Sequence, residues 1–352
     1  MTGSTRTLRS LSRLRGRDGV GEPPRVPLPV WRDFPPPVAL TRADLPRKRE
    51  RWSEAGIEPM QHFFDIFDIF LLEAVINGIL LGGVLALLAL GLNLIFGVID
   101  VTWICYAELV MIGMYGMYYM VQVFGLPYWA AAPIAILLVA GLGALLHYIV
   151  IAPLLTAPPI NQLLATGGVL FILQSFATVA FGIDFRNLGI RLPVLAIGEM
   201  HFSYSRLLAF VAALIGMLAI YFFMKRTYTG TAIRAVAQDR QIMSLMGVDT
   251  RRIYIITSAL GGALAGLAAC LLVLQYDVHP FVGLSFGPIT FLICVLGGLG
   301  NFVGGFIAAF VFAQIISLGG LFSDLEWGYV LAFAFFIVMM FIRPAGLLAR
   351  RS

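Results

Sequence analysis

The chain has 352 residues, 60% of them hydrophobic and only 12% charged, with a mean hydropathy of +0.91. Soluble domains average about 25% charged residues, so a soluble core is excluded and the chain reads as an integral membrane protein. The net charge of +5 belongs to a tail and a few loops rather than to a nucleic-acid-binding surface, because 12 of the 24 Lys and Arg fall within residues 1–60.

Residues 1–60 are rich in Arg and Pro and contain no apolar run long enough for a secretory signal. The stretches at 23–29 and 34–38 favour polyproline II over helix, so the segment is expected to be a disordered cytoplasmic tail. Arg47, Lys48, Arg49 and Arg51 lie just before the membrane domain, where they can contact anionic membrane lipid. The membrane domain is expected over 68–346, followed by a basic C-terminal tail at 347–352. A span needs about 20 apolar residues, and nine segments qualify: 70–98, 105–123, 128–150, 160–182, 204–224, 251–275, 284–300, 301–322 and 327–343. The segment 100–123 opens with Asp100 and carries Glu108, Gly113 and Gly116. A broken or re-entrant helix there leaves about eight full spans and places both termini in the cytoplasm. The predicted fold class is therefore all-α, a polytopic helical membrane protein.

The longest polar interval within the membrane domain is 225–252. It carries Lys225, Arg226, Arg234, Arg240, Arg251 and Arg252, and a loop this basic stays in the cytoplasm. Thr231 is a candidate N-cap and Gly247 a candidate left-handed C-terminal stop. Between them Ile233, Val236, Met243 and Met246 recur at helical spacing against Arg234, Asp239 and Arg240, the pattern of an amphipathic docking helix. The interval 183–203 is polar and faces the other side on this count. Five glycines between Gly297 and Gly305 break the helical pattern. Irregular backbone at membrane depth is tolerated where protein or a water-filled route satisfies it.

No hydrolase, metalloprotease or nucleotide-binding motif is present, and the four His are scattered. Cys105, Cys270 and Cys294 have no metal-type spacing and read as small core residues. No catalytic residue, metal or cofactor is expected in this chain. Ionisable residues inside a membrane are costly and usually functional, which singles out Glu108. Thr102, Trp103 and Tyr106 precede it, and the competing reading makes those aromatics interface anchors. Asn93 is either an interhelical hydrogen-bonding group or a pathway group, and Gln174, Ser175 and Thr178 form a polar face on the fourth segment.

Three stretches, Gly91–Val98 with Glu108 after it, Ala235–Asp249, and Val295–Gly305, match in order and spacing a known pattern. In them the chain resembles the permease subunits of bacterial high-affinity branched-chain amino acid ABC importers, from about residue 70 to 346. The family usually carries Asn and His where this chain has Trp103 and Tyr106, so it diverges beside the substrate. The resemblance implies a bacterial inner-membrane permease moving a small solute, an amino acid or a related amide, along a path at Glu108, Tyr106, Trp103, Asn93 and Thr102. It implies two ABC ATPase subunits, holding the ATP, docked on Ile233, Arg234, Val236, Asp239, Arg240, Met243, Met246 and Gly247. It further implies a second homologous permease and a periplasmic solute-binding protein. The rival reading is an ATPase-independent secondary transporter or channel that uses Glu108.

Overall fold

The computed structural model describes residues 48–190, 194–197, 200–322, 325–343 and 346–347. The chain divides into two units, Met1–Glu58 and Pro59–Ser352. In the first, helix begins at Lys48, inside the segment expected to be tail. The disorder expected over residues 1–47 lies outside the described residues, as do Arg350 and Arg351 of the C-terminal tail.

The second unit is a bundle of long helices. In chain order the helices are α1 (Lys48–Ile99), α2 (Tyr106–Gln122), α3 (Tyr128–Leu146), α4 (Pro159–Phe181), α5 (Tyr204–Arg226), α6 (Tyr228–Gln238), α7 (Arg240–Leu245), α8 (Thr250–Leu272), α9 (Val282–Gly297), α10 (Phe302–Phe322) and α11 (Leu325–Ile342). α3 runs on through a π turn at His147–Ile151 and a last turn at Ala152–Leu154. Among the described residues, six stretches are long and apolar enough to cross a membrane: Phe70–Ile99, Tyr128–Leu154, Pro159–Phe181, Tyr204–Arg226, Thr250–Leu272 and Phe302–Leu321. Val282–Gly297 and Glu326–Ile342 are apolar but shorter. The chain is a polytopic helical membrane protein.

Packing sorts these helices into centre and rim. The most apolar stretches of α1 and α8 are 78% and 67% buried, whereas those of α4 and α5 are only 22% buried. Exposed Leu164, Phe171, Ile172, Phe176 and Val179 leave α4 with a broad apolar face, as a lipid-facing helix requires. α8 packs along α3 at very short range. A methyl on Gly262 would lie 2.6 Å from the Val139 carbonyl, and one on Gly266 would lie 2.9 Å from the Ile136 Cα. Small residues permit this approach where there is no hydrophobic driving force between helices.

The break expected near 100–123 is present, but the segment is not re-entrant. α1 ends at Ile99 and α2 begins at Tyr106, with Asp100 at φ 62. The first end of this segment is at the α6–α7 loop, where Arg240 approaches Asp100. Its far end is elsewhere: Gln122 donates to the Leu188 carbonyl, and Arg186 donates to the Tyr119 hydroxyl. Phe181, at the opposite end of α4 from the π turn, stacks on Tyr115. The segment therefore runs from the loop end of the bundle to the opposite end. Between the two helices Val101–Trp103 are non-helical and Ile104–Cys105 turn into α2, with the Tyr106 amide donating to the Trp103 carbonyl. Asn77, accepting from Arg206 in the first turn of α5, also lies at the end opposite the loop. The expectation of a cytoplasmic N-terminus rested on a re-entrant segment and loses that support.

At the opposite end, an antiparallel pair of short strands, β1 (Val194–Ile197) and β2 (Met200–Ser203), interrupts the all-helical pattern with Val194 opposite Ser203. Next to it Arg186 bridges Val278 and Asn187 donates to Asp277, which joins the 183–190 stretch to the α8–α9 loop. In that loop burial holds the His279 imidazole below its ordinary pKa, opposed by the Asp277 carboxylate.

Candidate functional site

The break before α2 creates the main site. Cys105 is the N-cap of α2, and Glu108 falls in its first turn, where the positive end of the helix favours an anion. The Glu108 side chain is fully buried. Its Oε1 accepts a hydrogen bond from Gln174 Nε2 of α4 at 3.0 Å. Its Oε2 has no hydrogen-bond partner among the described residues. The carboxylate lies against the backbone of Gly283 in the first turn of α9, where a methyl would come within 2.6 Å of Oε1 and 2.7 Å of Oε2. Three helices thus meet on one acid: α2 supplies it, α4 bonds it, and a missing side chain on α9 makes room for it.

A cavity of about 260 Å³ opens beside this cluster. Its walls include Thr102, Trp103, Tyr106 and Glu108 from the break and α2, Leu163 and Leu170 from α4, and Gly283, Gly287, Pro288 and Phe291 from α9. Four of the five residues expected on the substrate path are brought together here. Trp103 is 1% exposed and its Nε1 has no partner among the described residues. Tyr106 leans on Gly91, and its hydroxyl donates to the Gly261 carbonyl at 3.3 Å, so it is occupied in packing. The Thr102 carbonyl accepts from Thr166 of α4, which anchors the segment between α1 and α2.

Asn93 does not line this cavity. Its Oδ1 accepts from the Gly300 amide at 3.2 Å, and its amide crowds Gly305. The observed bond ties α1 to the turn between α9 and α10 rather than to another helix. The glycine-rich stretch it holds is a tight turn between α9 and α10, with Gly298 at φ 93 and Gly300 at φ 78. Gly97 of α1 abuts this turn, since a methyl there would lie 2.9 Å from the Gly300 Cα. The stretch makes a close contact within the chain and does not border the cavity. Sequence reading did not single out Gly283. The polar face at Gln174 was visible, but nothing tied it to Glu108.

The loop between α5 and α8 differs from the single capped helix expected. Thr227, not Thr231, caps α6, its hydroxyl accepting from the Gly230 amide at 3.0 Å. Thr231 instead donates back to the Thr227 carbonyl, because it already sits inside the first turn. Asp239 breaks the helix at φ −153 and caps α7 by accepting from the Gln241 and Ile242 amides, each at 2.9 Å. Gly247 ends α7 at φ 83, a conformation costly for side-chain-bearing residues. Asp249 caps α8 and pairs with Arg252 at 2.9 Å.

The apolar face of this loop is also divided. Ile233 and Val236 are 0% and 2% exposed, packed into the chain's own core, so they are not free for a docking partner. Met243 is partly buried. The exposed apolar residues are Met246 together with Ile242 and Leu245, the last 86% exposed. Arg234 and Asp239 are solvent-facing. Arg240 Nη2 lies 3.7 Å from Asp100 Oδ2. The two residues line a polar recess with Gln238, Gln241 and Gly300, which puts the loop directly against the start of the break.

Among the described residues there is no group of three or more His, Cys, Asp and Glu placed to hold a metal ion. The three cysteines are buried and unpaired.

The model of the family "Branched-chain amino acid transport system / permease component" matches residues 74–340. The chain is 27% identical over 301 residues to the high-affinity branched-chain amino acid transport system permease protein LivH of Salmonella typhimurium, covering 80% of this chain and 96% of that one. Identity to BraD of Pseudomonas aeruginosa, of the same description, is 27% over 299 residues, covering 79% and 96%. LivM of Escherichia coli is 27% identical over 286 residues, covering 74% of this chain and 67% of that one. A solved structure of PsaBC from Streptococcus pneumoniae in complex with Fab overlaps 76% of this chain and 91% of that chain at 15% identity and a TM-score of 0.44, too loose a likeness to carry detail. The matched span covers both the Glu108 cavity and the capped loop beside Asp100: the chain belongs to the family of branched-chain amino acid transport system permease components.

Proposed function

We propose that this chain is the solute-conducting subunit of an ABC importer in a bacterial inner membrane, and that the cavity at Thr102, Trp103, Tyr106 and Glu108 is a station on its path. The observation that carries this is the buried Glu108, held by Gln174 yet with Oε2 unpartnered, on the wall of a cavity beside a helix break. Residues that are costly to bury in a membrane persist for function. The solute is small, an amino acid as the names of the relatives favour, or a related amide. It is delivered by a periplasmic solute-binding protein to the end that carries the 183–203 stretch.

The chain itself does no covalent chemistry and holds no cofactor. Two ATPase subunits bind and hydrolyse ATP and dock on the cytoplasmic α6–α7 loop. The docking surface is Ile242, Leu245 and Met246, rimmed by Arg234, Asp239 and Arg240. Ile233 and Val236 hold the loop to the membrane domain, and Gly247 shapes its exit. Docking alters the path only in so far as the ATPases contact its states differently. A second homologous permease completes the pore, and the existence of two relatives with distinct names, LivH and LivM, fits such a pairing. The C-terminal end shares the loop side.

The test is uptake by the complete importer reconstituted in liposomes. ATP depletion should abolish uptake and collapse of the proton gradient should leave it intact. The opposite pattern would establish the secondary-carrier reading, with Glu108 as its proton or cation site. Glu108→Gln should lower uptake without lowering the amount of chain in the membrane, and unchanged uptake kinetics would remove Glu108 from the path.

A further inference from the structure

On the loop side of the bundle another cavity, of about 630 Å³, lies between the end of α3 and the start of α8. Its wall includes His147, Tyr148, Ile149, Pro153, Thr250 and Arg251, and no Asp or Glu lines it. The Arg251 guanidinium stands over the Tyr148 ring, 5.7 Å from its centroid. Among the described residues Arg251 has no ion pair. The acid nearby in the sequence, Asp249, caps α8 and is taken by Arg252 at 2.9 Å. The two adjacent arginines therefore differ. Arg252 is neutralised within the chain, whereas Arg251 is held over an aromatic face beside a cavity with no anionic side chain in its wall.

The height of this cavity in the membrane decides what can enter it. α3 and its continuation span Tyr128–Leu154, and α8 spans Thr250–Leu272. The last turns of one and the first turn of the other lie at the membrane edge, the level of the lipid headgroups. The α3 span is only 28% buried, so lipid reaches the cavity along it. Exposed Ile134, Leu138, Leu145 and Ile149 recur at helical spacing and make an apolar strip along α3 that ends at the cavity. The turn after α3 is fixed, since Gln162 of α4 donates to the Leu154 and Ala157 carbonyls. An unpaired cation at headgroup height, with an apolar strip leading away from it, fits a phosphate for the guanidinium and an acyl chain for the strip. A zwitterionic lipid also brings an ammonium, and no acid in the wall receives it. An anionic phospholipid leaves no such group unmatched.

We propose that this cavity is a binding site for the headgroup of an anionic phospholipid, with Arg251 pairing the phosphate and the Tyr148 ring holding the guanidinium in place. The test is native mass spectrometry of the full-length protein, titrated with phosphatidylglycerol and phosphatidylcholine of matched acyl chains. Phosphatidylglycerol should bind more tightly, and Arg251→Gln should weaken it about fivefold, the scale of one basic side chain against anionic lipid. Arg252→Gln removes the same charge one residue away and should leave that affinity unchanged. Tyr148→Leu, which keeps Arg251 and an apolar wall, should weaken it about threefold, as loss of an exposed cation–π contact does. All three positions are exposed, so the variants should melt close to wild type. Inorganic phosphate should not displace the lipid. Equal affinity for the two lipids, or equal losses in Arg251→Gln and Arg252→Gln, would reduce the effect to diffuse charge and overturn the proposal. Displacement by inorganic phosphate would make this a free-anion site and overturn the lipid assignment. Lower ATPase co-purification in folded Arg251→Gln, with lipid affinity unchanged, would give Arg251 to the ATPase and overturn it as well.

Discussion

Replacing Gly283 with Ala tests the Glu108 site through a cavity-wall residue that has no side chain of its own. The new methyl would lie 2.6 Å from Glu108 Oε1, where ordinary contact begins at 3.4 Å, so something must move by roughly 0.8 Å. The listener is the tip of a side chain and not backbone, which makes the carboxylate the part that yields. If it swings away, the bond from Gln174 is lost, at about 1 kcal/mol for a buried hydrogen bond. Alanine within a helix regains about 0.8–1 kcal/mol over glycine, so the net loss of stability should stay within about 2 kcal/mol. A comparable misplacement of the acid on the path should cut uptake by about tenfold or more, since 1.4 kcal/mol is a factor of ten. Two controls bracket the measurement. Gly262→Ala places its methyl 2.6 Å from the Val139 carbonyl, a backbone atom that cannot turn aside, whereas Gly116 has nothing within 4 Å of such a methyl. The assay pairs thermal unfolding of the purified variants with ATP-driven uptake in liposomes. Gly283→Ala should transport poorly yet melt close to wild type, Gly262→Ala should be clearly destabilised, and Gly116→Ala should resemble wild type. A folded Gly283→Ala variant with wild-type uptake would refute the role given to Glu108. Equal destabilisation by Gly283→Ala and Gly262→Ala would refute the premise that the carboxylate yields.

The loop gives three more tests. Leu245→Glu, at an 86% exposed position, should reduce ATPase co-purification about tenfold with an unchanged melting temperature, while Ile233→Glu buries a charge and should instead lower the amount of folded protein. Pull-down and size-exclusion profiles of both variants separate these outcomes. Thr227→Ala should cost about 1 kcal/mol as the loss of an N-cap, visible as faster hydrogen exchange in α6, and Thr231→Ala should cost less than half as much. Asp100→Arg and Arg240→Asp should each alter stability by less than about 1 kcal/mol, because the pair is exposed. Each should uncouple ATP hydrolysis from uptake, and the double exchange should recover coupling; failure to recover would rule out the pair as a link.

How much was legible beforehand depended on what kind of signal a residue emits. Span-length apolar runs follow from the cost of exposing backbone to lipid, so α3, α4, α5 and α8 were readable to within a few residues. Glu108 stood out because an acid in an apolar run is rare. Gly283 did not, since one glycine among 37 says nothing about which side chain needs its space. Periodicity marked Ile233 and Val236 as apolar and in phase, but it is blind to whether such a face meets the chain's own core or another protein. The same holds for Thr227 and Thr231, both competent caps four residues apart, where the extended backbone of Thr227 at φ −101 and ψ 152 decides the matter. The broken segment illustrates a further limit. Charge and glycine content signal interruption, but whether the chain turns back or continues depends on the bonds Gln122 and Tyr119 make near Leu188 and Arg186.

Asp100 is the residue whose local setting makes least sense on local grounds. It lies at the C-terminal end of α1, where the helix dipole disfavours an acid, and it is the one non-glycine with positive φ among the described residues. Glycine or asparagine would suit that conformation at lower cost. Its only ion pair among the described residues is with Arg240, across 3.7 Å and largely in solvent, too weak to repay the strain as stability. What the pair does achieve is placement. Gly97, one turn earlier, is held against the Gly300 turn that Asn93 also bonds, so the end of α1 has a fixed side. On the other side Asp100 meets Arg240, the first residue of α7. Only Val101 separates Asp100 from Thr102, and Thr102 and Trp103 already form the cavity wall. A displacement of α7 therefore has a path of a few covalent bonds to the cavity, along a segment with no helix to bend. The positive φ at Asp100 turns the chain out of α1 at the point where the helix break and the first residue of α7 face each other across one ion pair.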